Sequence, residues 1–465
     1  MNEAFYVRVS LEYAEAVKPA SKEGAEEEKR TPLDVVCVLD TSGSMGGSKM
    51  QNLKQAVQFV LSVLDENDRL SLVTFNSEAE LLLGLRRGTA ENKRLVTEEI
   101  LPQIRASGGT DIYAGMKIGE KVLRDRSTRN PSAAMFLLTD GQDRGNRERK
   151  LELARSLRAG ESPTSLFVFG FGADHDSFHM QEIADAGEGS FIYVETSDAV
   201  IDAFGGAIGS QQSEALRNIE LTFSATMAGG SVASVQSGSY RHTVERRERE
   251  RDTAVVRCAD LFAGERRDFV VALSLPVARE EDLHALVSTA QAAFSLNSRD
   301  AEQRRVRHRT ETAECVIARV ADVSLPQYAA QRTRDVKVDV EVFRLRSTTA
   351  ISSAMQLADR GEIEQAQAVI AEAKAALQSE SVSFRQEDPL ALSLLRDLDD
   401  CASRMRSRDE YMRRGGRATM GTHLDVYSKQ RQVFRKEESS ASVYQTSRSA
   451  NYQSSAAKSK SKSFF

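Results

Sequence analysis

The sequence predicts an α/β chain: a doubly wound, mostly parallel sheet, then a β-sandwich, then a helical region with a disordered tail. Three observations carry this. Val35–Leu39 and Met135–Leu138 are short apolar runs without alternation, as in strands buried on both faces of a parallel sheet. Around them, apolar residues recur at helical spacing. Beyond about Glu214 the period falls to two, and beyond Ala350 it becomes helical again.

Phe5, Val7, Val9, Leu11 and Tyr13 share one face of a half-exposed strand, and Ser21–Arg30 with its three consecutive glutamates reads as a solvated linker. A lone strand must pair, so residues 1–32 are assigned to a strand that joins the later sandwich and to the linker. Residues 33–213 form the sheet domain. Its helices are expected at Ser48–Asp65, Glu91–Ile104, Thr110–Leu123, Arg147–Leu157, Ser177–Ala184 and Val200–Ile208. The strands between them are Arg69–Phe75, the edge strand Ala79–Leu83, Leu166–Phe171 and Ser190–Val194. Residues 214–345 are the sandwich, with strands at Leu216–Phe223, Val232–Val235, Ala254–Cys258, Arg267–Leu275 and Glu311–Val320. Asp335–Leu345 fits either a last strand or the start of a helix. Residues 346–414 are helical, with a turn at Gly361 and a helix from Leu390 towards Met412 capped by Asp388 ahead of Pro389. Residues 415–465, Ser-rich and short of apolar side chains, read as a disordered tail whose serines and tyrosines are candidates for phosphorylation.

Lys plus Arg number 63 against 68 Asp plus Glu, a net charge of -5, which gives no electrostatic case for nucleic-acid binding. Four scattered cysteines, Cys37, Cys258, Cys315 and Cys401, form neither a disulfide framework nor a zinc module. No stretch reaches transmembrane length and the first residues do not resemble a leader, so a soluble, cytoplasmic protein is expected.

The chemistry concentrates at strand ends. Asp40, Ser42 and Ser44 are spaced two apart after the first buried strand, so in an extended turn their oxygens can converge. Thr110 follows Gly108-Gly109 at a helix start, and Asp140 ends the second buried strand. Oxygen-only convergence suits a hard cation. Any one of the three hydroxyls could simply cap a loop or helix; all five residues in this order argue for a site. A phosphate loop is excluded because Gly-Lys-Ser/Thr is missing from 43–49, and Ser44 lacks the Gly-x-Ser-x-Gly frame of a hydrolase nucleophile. His175 and His179, four apart, could share a helix face, which permits metal binding in principle.

With D-x-S-x-S, then Thr110, then Asp140, the stretch 33–210 resembles the von Willebrand factor A (VWA) family and its metal-ion-dependent adhesion site. The resemblance implies direct ligation by Ser42, Ser44 and Thr110, with Asp40 and Asp140 acting largely through water. It implies Mg²⁺, with Mn²⁺ or Ca²⁺ as alternatives, and a protein partner that offers a Glu or Asp to the metal. The loops around Gly43, Gly109 and Gly141 would then form the partner-binding rim. Intracellular relatives carry a strand before this domain and a helical segment after the sandwich, and some are ubiquitin ligases through a zinc-binding RING. No Cys/His cluster of that kind occurs here. The chain is therefore expected to be a non-enzymatic interaction scaffold. A substrate-recruiting, non-catalytic subunit of a ubiquitin-ligase-type assembly is the first alternative, and a secreted adhesion protein the second.

Overall fold

The computed structural model describes residues 5–13, 31–141, 143, 145–159, 163–172, 176–194, 197–246, 251–297, 306–319, 335–379, 388–413, 415–431 and 444. A six-stranded sheet forms its centre, built from β2 (Leu33–Asp40), β3 (Arg69–Phe75), β4 (Ala79–Arg87), β5 (Ser132–Thr139), β6 (Ser165–Phe171) and β7 (Ser190–Val194). The order is β4-β3-β2-β5-β6-β7, with β4 antiparallel and the rest parallel.

Alternation along β2 explains why its run had to be apolar throughout. Val35, Cys37 and Leu39 face α1 (Ser48–Val63) and α6 (Ser197–Gln212). Val36 and Val38 face the layer containing α3 (Ile112–Arg124), α4 (Arg147–Arg158) and α5 (Ser177–Ala186). Helix α3 lies unusually close to the sheet. A Cβ at Gly115 would sit 2.6 Å from the Phe75 ring, so only glycine permits this approach.

Two further sheets enclose a second core. Strand β1 (Phe5–Glu12) pairs antiparallel with β12 (Arg266–Ser274), whose other edge holds β9 (Ser231–Gln236). The N-terminal strand thus joins the second β unit. The facing sheet runs β10 (Arg241–Glu245), β11 (Thr253–Phe262), β8 (Glu214–Ala225), β13 (Asp282–Leu296), β14 (Arg307–Arg309), with β15 (Ala313–Arg319) also on β13. Val7 and Phe269 of one sheet pack with Leu221 and Val256 of the other. The helical region comprises α7 (Val336–Asp359), α8 (Ile363–Ser379), α9 (Pro389–Arg404), α10 (Arg408–Arg413) and α11 (Gly416–Lys429).

Several elements differ from the sequence reading. The segment Asp335–Leu345, open between strand and helix, is helix: Asp335 caps it by accepting from the Lys337 and Val338 amides. The expected helix Glu91–Ile104 is a short α2 (Ala90–Arg94) continued by a π turn and a 3₁₀ turn. Strand β13 was not anticipated, because Ala- and Ser-rich Ser288–Ser295 lacks a β-branched signature. The helix from Leu390 breaks after Arg404. Residues 416–429, inside the stretch expected to be disordered, form a buried helix. From 432 on, all but Tyr444 lie outside the described residues, as does His175. Cys37, Cys258 and Cys401 are buried and no disulfide joins any of the four cysteines. Burial alone pushes the Cys37 thiol up.

Helix α11 is held by paired charges rather than by apolar area alone. Lys429 reaches the Gly189 carbonyl at 2.7 Å and Asp185 at 2.8 Å, tying the helix to the central-sheet domain. Arg431, just beyond it, pairs with Glu265 at 2.9 Å and with Asp260, which also takes Arg158 of α4 at 2.8 Å. Buried Arg344 of α7 donates to the Tyr427 carbonyl at 2.6 Å and pairs with Glu341 at 2.7 Å. One seam therefore bolts three parts of the molecule together.

Candidate functional site

The site lies where β2 and β5 end. Asp40 is the last residue of β2, and its carboxylate organises the turn that follows: Oδ1 accepts the Ser42 amide at 2.8 Å and Oδ2 accepts the Thr139 hydroxyl at 2.5 Å. The Asx-type bond to Ser42 bends the chain into a 3₁₀ turn over Gly43–Met45. That turn brings the Ser42 and Ser44 hydroxyl oxygens to 3.1 Å from each other.

Asp140 follows β5 and is fully buried. Gly141 turns the chain away at φ 70°, and a Cβ there would meet Met180 Cγ at 3.0 Å and the Asp176 carbonyl at 3.2 Å. Glycine is required at this corner. Asp176 locks the same corner by donating its amide to the Asp140 carbonyl at 3.1 Å, while its side chain caps α5.

The Thr110 loop is stitched to its neighbours by backbone. The Gly43 amide donates to the Gly108 carbonyl at 3.1 Å, and Ser107 to Thr41 at 2.7 Å. The Gly109 amide donates to Ser77 Oγ at 2.8 Å. Asp111 then caps α3 by accepting from the Ala114 amide at 2.9 Å. Thr110 itself is half-buried. Among the described residues, no hydrogen bond joins its hydroxyl to the other four side chains.

Burial pushes the Asp40 carboxyl up to about 6, against the pull of its hydrogen bonds from Ser42 and Thr139, and the nearby Asp140 charge adds to the rise. Asp140 Oδ2 receives Lys49 Nζ at 3.0 Å, whereas its buried Oδ1 has no hydrogen-bond partner among the described residues. A buried acceptor left in this state is costly unless something else binds it.

The donor set fits a hard cation. Cis ligands about 2.0–2.1 Å from Mg²⁺ stand roughly 3 Å apart, close to the separation of the two serine oxygens. No group of three or more His, Cys, Asp or Glu suited to a metal occurs among the described residues, so any cation here depends on hydroxyls.

Sequence reasoning passed over two contributors. Thr139 fixes Asp40 and also accepts the Gly141 amide at 2.9 Å, and its signal was a hydroxyl at the end of an otherwise apolar strand. Lys49 lies in the first turn of α1, where no acidic residue occurs. A cation at a helix N-terminus opposes the macrodipole, and that anomaly was legible.

Residues 34–205 match the family model of the von Willebrand factor type A domain. The chain is 32% identical over 262 residues to a protein named probable E3 ubiquitin-protein ligase WAVH2 of Arabidopsis thaliana, covering 56% of this chain and 34% of that one. Similarity to the E3 ubiquitin-protein ligase WAV3 of the same plant, at 27%, extends over 75% of this chain and 43% of the relative. Inter-alpha-trypsin inhibitor heavy chain H4 of Sus scrofa is 31% identical over 180 residues, 36% of this chain and 19% of that protein. The chain spans less than half the length of these relatives. Among solved structures, a von Willebrand factor type A protein from Catenulispora acidiphila superposes with a TM-score of 0.60 at 16% identity, covering 86% of this chain and 89% of that one. Residues 34–205 thus have the VWA fold, accompanied by an additional sheet unit and a C-terminal helical region. No helix among the described residues is long and apolar enough to cross a membrane.

Proposed function

We propose that the chain is an interaction scaffold whose VWA domain recognises an acidic residue on a partner protein through a divalent cation, and that it catalyses no reaction itself. The carrying observation is the convergence of Ser42 and Ser44 oxygens at 3.1 Å beside two buried carboxylates, one with an oxygen that has no hydrogen-bond partner among the described residues. Ser42, Ser44 and Thr110 would hold Mg²⁺ directly; Mn²⁺ or Ca²⁺ would use the same oxygens. Asp40, with both oxygens engaged by Ser42 and Thr139, is suited to orient rather than ligate. Asp140 would act through water on its free oxygen. Bound there, the cation supplies a positive centre for an incoming Glu or Asp. The loops around Gly43, Gly109 and Gly141 would frame that carboxylate. Four cysteines outside any disulfide favour a cytoplasmic setting.

Calorimetric titration of Mg²⁺ into the full chain tests this reading. Wild type should bind one ion and Asp140→Ala none, whereas equal heats from both would remove the site. A second reading draws on the WAV3 similarity, which runs through 75% of the chain: the recognised partner would be a substrate brought to a ubiquitin-ligase assembly. Partner capture in Mg²⁺ that is enriched in ubiquitin-pathway substrates, and lost in chelator, would favour it.

A further inference from the structure

Lys49 places a positive charge on one of the carboxylates of the candidate cation site. Its Nζ stands 3.0 Å from Asp140 Oδ2, with the lysine side chain 15% exposed and the aspartate fully buried. Nothing about local helix energetics favours this placement, because the first turn of α1 presents the positive end of its dipole. The carboxylate is what holds the ammonium there.

Formal charge makes the consequence definite. Asp40 and Asp140 bring two negative charges and the three hydroxyls none, so a divalent cation would be fully neutralised by the pair alone. With Lys49 included, the loaded site carries one net positive charge.

We propose that Lys49 is a tethered cation that neutralises one of the two site carboxylates, so that Mg²⁺ is held loosely alone and tightly only when an acidic group joins it. This deepens the cation-dependent reading above and rests on it. Like charges a few ångströms apart in a buried setting repel strongly, which weakens metal binding. The residual positive charge strengthens attraction for an incoming carboxylate for the same reason. Lys49 thereby trades metal affinity for partner affinity, and cation and partner binding become mutually dependent.

The test is calorimetric titration of Mg²⁺ into the full chain at low salt for wild type, Lys49→Met, Lys49→Gln and Lys49→Arg, each repeated with acetate as the carboxylate probe. Both neutral variants should bind Mg²⁺ alone at least ~10-fold more tightly than wild type, and Lys49→Arg should stay within about threefold of it. Acetate should tighten Mg²⁺ binding to wild type and Lys49→Arg more than to the neutral variants. Two neutral variants guard against a folding defect in one. Equal or weaker Mg²⁺ binding by Lys49→Met and Lys49→Gln, with wild type binding normally, would overturn the role of Lys49 while leaving the cation site standing. Absence of Mg²⁺ binding from all four would overturn the cation site, and this inference with it.

Discussion

Two clusters of buried charge in this molecule have opposite designs. In the seam around α11, carboxylates meet matching cations: Asp260 takes both Arg431 and Arg158, and Glu265 takes both Arg431 and Arg267. At the ends of β2 and β5 the match is incomplete among the described residues, since Asp140 keeps a buried oxygen without a hydrogen-bond partner there and Asp40 is pushed up to about 6. Burial alone would raise Asp260 too, but Arg431 and Arg158 override it and hold that carboxyl well below the usual carboxylate range. The contrast separates charge that is matched within the fold from charge that the described residues match only in part. A fully matched cluster has nothing left to offer a ligand. An incompletely matched one is costly to keep, which argues that it is used. The two are physically joined, because Arg417 of α11 donates to Ser177 Oγ at 3.1 Å, one residue after the Asp176 that grips Asp140.

The largest effect should come from unmatching the seam. Arg431→Ala leaves Asp260 and Glu265 short of a buried partner and should cost about 3–5 kcal/mol in urea unfolding. A loss below ~1 kcal/mol would mean that the seam is solvated in solution and that the contrast with the site is not real.

The two clusters should also respond to pH with opposite sign. In chelator, the fold favours neutral Asp40, so its contribution is fully present below the unfolded value of about 3.9 and is lost as pH rises through about 6. Relative to Asp40→Asn, wild type should therefore lose on the order of 3 kcal/mol of stability between pH 4 and pH 7. Asp260 behaves conversely: its contribution is present above the unfolded range and is lost as pH falls below it. A difference between wild type and Asp40→Asn that does not change with pH would remove the distinction.

Smaller effects sharpen the comparison at helix starts. Asp388 caps α9 by accepting from the Leu390 and Ala391 amides and Asp111 caps α3 by accepting from the Ala114 amide, so alanine at either should cost about 1 kcal/mol. Only Asp111→Ala, next to Thr110, should also weaken Mg²⁺ binding. Parallel losses from both variants would show that the effect on the ion is merely global.

The candidate site was legible because its chemistry is local. Three oxygen-bearing residues two apart after a buried strand cannot be explained by packing, and a turn of that kind folds on its own hydrogen bonds, as Asp40 and Ser42 do. The seam was not legible, because its order comes from tertiary pairing. Arg417, Asp425 and Lys429 look like a solvated face in sequence; each is buried against a partner from a distant element or from the same helix. Val336, Val338, Val340 and Val342 alternate as a strand would, and only the Asp335 cap and the packing of Phe343 and Ile351 resolve them as helix. Lys49 was legible as an anomaly at the start of α1, but its partner was not, because Asp140 lies 91 residues away in sequence.

Anomalous scattering from a crystal of the full chain grown with Mn²⁺ tests the central claim most directly. The expected result is one strong peak within about 2.3 Å of the Ser42 and Ser44 hydroxyl oxygens, absent from Asp140→Ala. Saturating Mn²⁺ with no peak at that position, or with the peak on another cluster, would contradict it.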